Sequence, residues 1–429
     1  MSEWKKVKLG EFIDVLSGYA FKSKDFSDHG IPVIKIKNVC PPYISLDDLS
    51  YVPESIAFQN QRYILHKGDV LIAMTGSHIN QIASVVGRVG RVRYDDISVL
   101  NQRVGKIINK DDRQSNLDYI YYFLSQYEVK VELAQKAGGA ANQANISPSD
   151  IKDLLLPYPP IDGQLRIATI LSRYDSLIEN YQKQIKLLEE AAQRLYKEWF
   201  VDLRFPGHEN TKIVDGVPEG WEKKMVGDLL CMHMNGGWGK DSSTGLNVIQ
   251  APVIRGTDID KIKGGFFDDL PIRFHTEKDI YNKHLEVNDI ILELSNGNIN
   301  NVGRTLRIDD NLLKQYGKHV ICASFCKFLR PIDYRISIIL FSEFQDMQNG
   351  SRMQKFKKNG ANGINNFDFQ EFLKHVVIVP PVSFTIKELE IIQKSISDYR
   401  VQIRLLTEAR DRLLSKLMNS EISAIGEMA

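Results

Sequence analysis

The amino-acid sequence predicts an α+β protein, with two pseudo-symmetric mixed α/β domains separated by two long helices that pack along each other. Three observations predict this fold class. Two helical stretches carry the same apolar pattern at a fixed displacement, the segments before them repeat one order of strands and turns, and a Pro-Pro pair precedes each helix. With 429 residues, 43% of them hydrophobic and 25% charged, the chain is long enough for two domains of ordinary size.

The first helical stretch lies between Pro159-Pro160 and Pro206-Gly207, and its apolar residues recur at alternating steps of three and four. This period is typical of a helix that packs along another helix. A second stretch repeats the steps 218 positions later, interrupted at Arg410. One such stretch could be an ordinary surface helix, but two copies in one register favour a shared seam. The predicted seam consists of Leu171, Tyr174, Ile178, Tyr181, Ile185, Leu188, Leu195 and Trp199 in the first helix and Leu389, Ile392, Ile396, Tyr399, Ile403, Leu406, Leu413 and Leu417 in the second.

The N-terminal segment alternates short strand-like runs, at residues 32–39, 69–74 and 84–92, with turns. A helical period follows between Ile120 and Ala134, then a Gly/Ala/Asn loop at 138–145 and an apolar run at 151–156. Because Pro159-Pro160 blocks helix formation, we expect Asp162 to cap the first long helix.

The same order of elements starts again at residues 218–221. Strand-like runs at 252–259 and 289–292 repeat those at 32 and 69, and a Gly/Asn loop at 360–366 repeats the one at 138. Pro380-Pro381 precedes the second long helix, where Thr385 and Glu388 predict a capping box. We therefore expect a first domain at residues 1–158, a spacer helix at 159–204, a second domain at 205–379, a second spacer helix at 380–420 and a tail at 421–429.

Composition narrows the class of protein. No secretion signal follows the N-terminus and no stretch approaches the roughly 18 apolar residues of a membrane span, so we expect a cytoplasmic protein. Four cysteines form no disulfide framework. His319, Cys322 and Cys326 could be zinc ligands, but a fourth ligand is not evident, and we expect no metal site. A formal net charge of +1 neither indicates nor excludes nucleic acid.

The residues do not predict an enzyme. Cys40-Pro-Pro-Tyr43 is close to an adenine methyltransferase motif, but a thiol cannot replace the Asn or Asp that accepts hydrogen bonds from the target amino group. Glu128-Val-Lys130 lacks the carboxylate cluster of a nuclease metal site. The sequence contains neither a Gly-rich dinucleotide turn nor a phosphate-binding loop of motor proteins. We expect no catalytic residues and no cofactor.

Two further motifs indicate a family. Glu198-Trp-Phe-Val-Asp-Leu-Arg-Phe-Pro-Gly207 ends the first long helix, and Pro218-Glu-Gly-Trp221 opens the second copy. Together with the duplicated layout, they make the whole chain resemble the specificity subunit of type I restriction-modification enzymes. The resemblance implies two target recognition domains that each read one half of a bipartite double-stranded DNA target, separated by the helices as an antiparallel coiled coil. It also implies that two methyltransferase (modification) subunits dock on the helices, that motor-nuclease (restriction) subunits join the complex, and that this subunit is not catalytic.

Polar side chains on the loops of each domain are candidates for DNA contact, because base edges are read by Arg, Lys, Asn, Gln, Ser and Thr. Plain turn chemistry would explain the same residues. We interpret the Gly/Asn loops at 138 and 360 as hinges or as packing against the spacer, and Arg88 and Arg304 as phosphate contacts or solvent-facing residues. The candidates are Lys35, Lys37, Asn38, Thr75, Ser77, Asn80, Gln81, Gln102 and Arg103 in the first domain and Arg255, Thr257, Ser295, Asn296, Asn298 and Asn300 in the second.

Two alternatives remain open at this point. A tandem scaffold could bind two protein partners through its long helices without any role on DNA. A self-sufficient nuclease or methylase would have to show activity as the purified chain. Salt-dependent and sequence-dependent binding to duplex DNA would separate a DNA reader from a scaffold.

Overall fold

A computed structural model of the protein describes residues 4–76, 85–140, 143–266, 270–317, 319–360 and 363–419. Contacts between residues divide the chain into two units. Unit 1 comprises residues 1–175 with 408–429, and unit 2 comprises residues 176–407. Each unit therefore holds one mixed α/β domain together with parts of both long helices, whereas the sequence predicted the helices as segments separate from the domains.

Unit 1 contains two main sheets, with strand orders β2-β12-β8-β10-β5-β4 and β6-β3-β11-β7. Two smaller sheets pair β1 with β15 and join β13, β14 and β9. The strands are β1 (Lys6–Lys8), β2 (Ile13–Ser17), β3 (Ile31–Ile34), β4 (Val39–Cys40), β5 (Tyr43–Ile44), β6 (Ser50–Val52), β7 (Ile64–Leu65), β8 (Val70–Ala73), β9 (Thr75–Gly76), β10 (Val89–Arg91), β11 (Ser98–Leu100), β12 (Val104–Asn109), β13 (Gly138–Ala140), β14 (Gln143–Asn145) and β15 (Leu155–Pro157). The helices of the domain are α1 (Glu54–Gln59), α2 (Leu117–Leu124), α3 (Tyr127–Lys136) and α4 (Pro148–Lys152).

The first long helix is α5 (Ile161–Tyr196), and a π-helical turn (Lys197–Val201) follows it. The strands of unit 2 are β16 (Ile213–Val214), β17 (Val217–Pro218), β18 (Glu222–Met225), β19 (Leu230–Asn235), β20 (Ile249–Ile254), β21 (Ile272–His275), β22 (Ile290–Glu293), β23 (Ser295–Asn296), β24 (Thr305–Arg307), β25 (Ile321–Cys322), β26 (Cys326–Pro331), β27 (Lys357–Lys358), β28 (Asn365–Phe367) and β29 (Val376–Val379). Its helices are α6 (Ile259–Lys263), α7 (Glu277–Lys283), α8 (Asp310–Tyr316), α9 (Tyr334–Asn349) and α10 (Phe369–Leu373), and the second long helix is α11 (Lys387–Met418).

The two domains share one topology. The order β19-β26-β22-β24 in unit 2 repeats β2-β12-β8-β10 in unit 1, and the pair β18-β29 repeats β1-β15. The three-stranded sheet of β23, β28 and β27 likewise repeats that of β9, β14 and β13. The predicted fold class, two similar mixed α/β domains with two long helices, is confirmed.

The central strand of each domain is covered on both faces, as alternation of side chains requires. In β8, Val70 and Ile72 belong to a core that includes the roots of the long helices, whereas Leu71 and Ala73 belong to a second core on the opposite face. In β22, Ile290 and Leu292 lie in the core with the helix roots and Ile291 lies in the other. Burying each of these large side chains contributes ~1.5–3 kcal/mol.

Two local expectations within the first domain differ from the structure. The helical period between Ile120 and Ala134 is divided into α2 and α3, because Gln126 is extended and the Ser125 hydroxyl donates to the Tyr121 carbonyl. The run at 32–39 is interrupted by a 3-10 turn at Ile36–Asn38, in which the Asn38 side chain accepts from the Lys35 amide. Local side-chain hydrogen bonds to the backbone compete with helices and strands in this way.

The starts of the long helices also differ slightly from the prediction. Helix α5 begins at Ile161, so Asp162 lies inside its first turn instead of capping it. At the second helix, the Thr385 hydroxyl accepts from the amide of Lys387, one residue before the Glu388 position expected for a capping box.

Candidate nucleic-acid interface and helical spacer

Four isoleucines of the predicted seam form one buried cluster within unit 2. Ile178 and Ile185 of α5 pack with Ile396 and Ile403 of α11. The partly buried residues around this cluster also belong to the predicted seam: Tyr181, Leu188, Ile392, Tyr399 and Leu406. Because each seam residue removes apolar surface from water, the two helices stabilise each other along this length.

Aromatic pairs give the direction of the two helices within unit 2. The ring centroids of Tyr181 and Tyr399 lie 5.1 Å apart, and those of Trp199 and Phe384 lie 5.6 Å apart. Residue numbers rise along one helix as they fall along the other. The helices are therefore antiparallel in this region.

The ends of the predicted seam contribute to the domain cores. Leu171 and Leu417 are buried in the core of unit 1, with Leu413 packed against it. Trp199 and Leu389 are buried in the core of unit 2, with Leu195 packed against it. Tyr174 is half-buried. Each long helix thus contributes one end to the core of unit 1 and the other end to the core of unit 2. The residues between these ends form the seam between the helices.

Arg410, which interrupts the apolar pattern, has a partner that the pattern did not reveal. Its guanidinium Nη1 donates to Oδ1 of buried Asp175 at 2.8 Å, and the Tyr122 hydroxyl donates to Oδ2 of the same carboxylate at 2.7 Å. Burial lowers the pKa of Arg410, but Asp411 and Asp175 outweigh it and raise that pKa above its ordinary value. The first domain is thereby tied to both long helices.

Unit 2 anchors α5 through a different carboxylate. Glu343 of α9 is 5% exposed and accepts hydrogen bonds from the Tyr196 hydroxyl at 2.8 Å, His375 Nε2 at 2.7 Å and Arg352 Nη1 at 3.0 Å. Burial raises the pKa of Glu343, but the hydrogen bonds from His375 and Arg352 outweigh it and hold that pKa below its ordinary value. A fully bonded buried charge of this kind fixes the geometry of the helix root.

The candidates Lys35, Lys37 and Asn38 differ in their burial and in their bonding partners. Asn38 is 1% exposed, and its side-chain amide donates to the Asp47 carbonyl. The ammonium of Lys35 donates to the Ser50 hydroxyl at 2.8 Å and lies 4.3 Å from the centroid of the Phe26 ring, and burial lowers its pKa. Exposed Lys37 is paired with Asp48. Asn38 therefore shapes the turn, and only Lys37 of the three is free of burial.

At the equivalent positions in unit 2, one candidate is likewise held by a neighbouring side chain and the other is exposed. Arg255 forms a two-pronged ion pair with Asp258, with Nε and Nη2 at 2.9 Å and 2.8 Å from the two carboxylate oxygens. Thr257 is exposed on the 3-10 turn between them. A guanidinium held this way is positioned by the fold before any ligand arrives.

Each domain carries a three-stranded antiparallel sheet that joins two loops distant in sequence. Mini-sheet 1 consists of β9, β14 and β13, and mini-sheet 2 consists of β23, β28 and β27. The Thr75 hydroxyl donates to Asn145 Oδ1 at 2.6 Å, and the Ser295 hydroxyl donates to Asn366 Oδ1 at 2.7 Å. The strands beside the Gly/Asn loops, which the sequence predicted to be hinges or packing against the spacer, thus pair with the strands at the start of the candidate DNA loops.

The loop of mini-sheet 2 presents amide side chains over a fixed backbone. Asn296 Oδ1 accepts from the Asn298 amide at 2.8 Å, and Asn298 Oδ1 accepts from the Asn300 amide at 3.0 Å. Asn298 and Asn300 are exposed. In mini-sheet 1, Thr75 is 6% exposed. The candidates Ser77, Asn80 and Gln81 lie outside the described residues.

The remaining candidate residues lie on a tight turn that directly precedes β12 in unit 1. Gln102 and Arg103 are both exposed on this turn in unit 1. The equivalent turn of unit 2 precedes β26 and carries Phe325, which is 62% exposed and which the sequence analysis missed. A selection of candidates by polar residue type leaves out phenylalanine. An apolar side chain can nevertheless contact the methyl group of thymine.

Other sequence candidates have structural roles. Arg304 bonds buried Glu293 at 2.8 Å and the Gly256 carbonyl at 2.9 Å, and it also pairs with Asp260, so its guanidinium is committed inside unit 2. Arg88 is half-buried. Cys40 and Tyr43 flank the turn of the β4–β5 hairpin.

The described residues form neither a metal-ligand cluster nor a membrane-spanning helix. Across the described ranges, the structure brings together no group of three or more His, Cys, Asp or Glu side chains able to hold a metal ion. In the same part of the chain, none of the helices combines the length and the apolar character needed to cross a membrane. Burial raises the pKa of Cys322 to about 12, so its thiol stays protonated at neutral pH.

Comparison with known proteins agrees with this architecture. The family described as "Type I restriction modification DNA specificity domain" matches residues 1–190. The MjaIX specificity subunit of Methanocaldococcus jannaschii is 30% identical over 237 residues, which are 53% of this chain and 52% of that protein. The EcoBI specificity subunit of Escherichia coli is 24% identical over 244 residues, covering 53% and 46%. The chain spans about half the length of these curated relatives.

The fold comparison extends over the whole chain. The crystal structure of the S subunit of a type I restriction-modification system from M. genitalium superposes with a TM-score of 0.50 and 17% identity, covering 96% of each chain. At that identity the likeness concerns the fold, and it includes both domains and both helices. Residues 1–190 of this chain are thus similar to the type I restriction modification DNA specificity domain, and its fold is similar to that of a type I restriction-modification S subunit.

Proposed function

We propose that this chain is the DNA-reading subunit of a type I restriction-modification complex. Each domain reads one half of a bipartite double-stranded sequence, and the two long helices set the gap between the halves. The chain performs no chemistry itself. Two methyltransferase subunits dock on the helices, and motor-nuclease subunits join through the complex, which acts on DNA in the cytoplasm.

The observation that carries the proposal is the duplicated mini-sheet. In both domains a hydroxyl at the start of one loop bonds an asparagine at the end of another, at 2.6 Å and 2.7 Å. Such bonds hold polar loops in a fixed shape, which direct readout of base edges requires. The loops differ in sequence while their frame is the same, as expected for two readers of different half-sites.

The helices have the length that a spacer needs. Helix α5 has 36 residues, so it is about 54 Å long at 1.5 Å per residue. This length corresponds to about 16 base pairs of duplex and is an upper limit for the gap. Two readers on one face of the duplex would lie about 10 base pairs apart, with an unread stretch between short half-sites.

The test is methylation mapping. The chain would be produced together with its methyltransferase subunit in a host that lacks other DNA methylation, and the modified bases would be located across the genome. We expect one bipartite motif with two specified segments of about three to five base pairs and a constant gap. Methylation without a bipartite motif, or a motif unaffected by exchanging this chain for another specificity subunit, would contradict the proposal.

Binding separates this function from that of a protein scaffold. We expect the complex to prefer a duplex with the mapped motif over a scrambled duplex, with affinity that falls as salt rises. A scaffold without a role on DNA would bind the methyltransferase subunits but show no sequence preference. The family match disfavours that alternative.

A further inference from the structure

The turn before β12 in unit 1 and the turn before β26 in unit 2 are each hydrogen-bonded to the residue just before the mini-sheet. In unit 1 the Met74 amide donates to the Arg103 carbonyl at 3.0 Å, and in unit 2 the Leu294 amide donates to the Phe325 carbonyl at 2.8 Å. Met74 and Leu294 are the residues just before the first strand of each mini-sheet. Arg103 and Phe325 are therefore equivalent positions.

A second pair of bonds connects these residues to the end of the middle strand of each mini-sheet. The Ile146 amide donates to the Met74 carbonyl at 2.9 Å, and the Phe367 amide donates to the Leu294 carbonyl at 2.8 Å. Main-chain hydrogen bonds thus join each turn to the residue before the first strand of the mini-sheet, and join that residue to the end of the middle strand. Their relative positions are set by backbone, whatever their side chains are.

The two equivalent positions carry side chains of different character, one charged and one apolar. Arg103 is an exposed guanidinium, whereas Phe325 leaves 62% of an aromatic side chain in water. Directly before β28, the middle strand of mini-sheet 2, Ile364 is 46% exposed, and Asn366 within that strand is also exposed. Single exposed apolar residues are common, but here two lie on elements that also present the polar candidates.

We infer, resting on the proposed DNA-reading function, that Arg103 and Phe325 are equivalent specificity-determining residues. Ile364, which follows the Gly/Asn stretch of the second domain, belongs to the same reading surface as Phe325. Arg103 donates to the acceptors of a guanine in the first half-site, and Phe325 contacts the methyl group of a thymine in the second. The two domains thus use one position to select different bases.

The experiment maps methylation by the full chain with its methyltransferase subunit. Phe325→Ala should reduce the preference for thymine at one position of the second half-site by about fourfold, the value of one buried methyl group. Arg103→Ala should reduce the preference for guanine at one position of the first half-site by roughly ten- to hundredfold. In each variant the other half-site should remain unchanged.

A gain of specificity gives the sharper result. Phe325→Arg should shift the preferred base at that position from thymine to guanine, and Ile364→Ala should relax a second position in the same half-site. The matched control is Tyr334→Ala, because Tyr334 is 51% exposed and lies beyond the opposite end of strand β26, about 20 Å along the strand. We expect its motif to equal that of the unmodified chain.

Two outcomes would overturn the inference, and they can be told apart. If the unmodified chain directs a bipartite motif while the Phe325 variants leave the second half-site unchanged, the inference fails and the proposed function stands. If the unmodified chain directs no bipartite motif, the proposed function fails and the inference falls with it. Equal thermal unfolding midpoints of the variants and the unmodified chain would exclude misfolding as the cause of a changed motif.

Discussion

Arg410 of the second long helix donates to Asp175 of the first at 2.8 Å, and the Arg410 side chain is 15% exposed while that of Asp175 is 1% exposed. A buried ion pair is strongly destabilised when one partner is removed, because the other charge then lacks compensation. Arg93 Nη2 lies 3.8 Å from Asp175 Oδ2 and remains as a second cation, so we expect Arg410→Met to lower the free energy of unfolding of unit 1 by less than the ~3–5 kcal/mol of a fully uncompensated charge. Urea denaturation followed by circular dichroism measures this change.

A double variant provides the control for that pair. Adding Asp175→Asn to Arg410→Met removes the uncompensated charge while still accepting the hydrogen bond from Tyr122, so most of the lost stability should return. Exposed Arg412→Met should have little effect. Equal losses in Arg410→Met and Arg412→Met would contradict a role for the ion pair.

Glu343 should make the stability of unit 2 depend on acid. Hydrogen bonds from His375 and Arg352 outweigh burial and hold its pKa below the ordinary value of 4.5. A depressed folded pKa means that its contribution is fully present above about pH 4.5 and is lost as the pH falls through the lower folded value. Urea midpoints between pH 7 and pH 3 should therefore fall less steeply for Glu343→Gln than for the unmodified chain. The exposed control Glu219→Gln should keep the original slope.

The parts of the fold that were predictable are those with a local period. The seam around Ile178 and Ile396 and the repeated order of strands follow from spacing along the chain. The pairing of Thr75 with Asn145, 70 positions apart, has no local signal, so the sequence alone favours a hinge or packing against the spacer for the Gly/Asn loops. Sequence spacing marked Arg410 as an interruption but could not reveal Asp175 on the other helix.

The candidate site was harder to predict than the fold for a physical reason. Residue type alone selected Asn38, whose polar atoms are used within its own turn, and passed over Phe325, which is exposed. Asparagine is favoured in turns by its backbone bonding, so its presence does not indicate a ligand. Exposure of the side chain and the main-chain hydrogen bonds that match Arg103 with Phe325, both of which only the structure gives, separate the two cases.

The hydroxyl–asparagine pairs should control the two half-sites independently. Ser295→Ala removes the donor to Asn366 and Thr75→Val removes the donor to Asn145, each costing about 0.5–1.5 kcal/mol of local stability. We expect Ser295→Ala to broaden only the second methylated half-site and Thr75→Val only the first. Ser243→Ala, at an exposed position of unit 2, is the control. A change in both half-sites from either variant would contradict independent readers.

Leu187 and Leu405 are equivalent by the 218-position displacement, and both are exposed, by 61% and 45%. If they contribute to the docking of two methyltransferase subunits, a charged side chain at either position would be buried without a partner in one interface. This burial would weaken that interface. We expect Leu187→Glu or Leu405→Glu to bind one methyltransferase subunit instead of two, and the double variant to bind none, as measured by mass photometry. Leu246→Glu, at an 81% exposed position, should keep two. Unchanged stoichiometry in the double variant would place docking elsewhere.

The gap between half-sites should follow the length of the paired helices. Seven residues inserted between Leu188 and Ala192, with seven more at the facing place between Ile392 and Ile396, preserve the apolar period and lengthen the pair by about 10 Å. This length corresponds to about three base pairs, so methylation mapping should show a longer gap and unchanged half-sites. The same insertion in one helix alone puts the seam residues out of register, and we expect that control to lose stability. Half-sites that changed while the gap stayed constant would show that the helices do not set the distance.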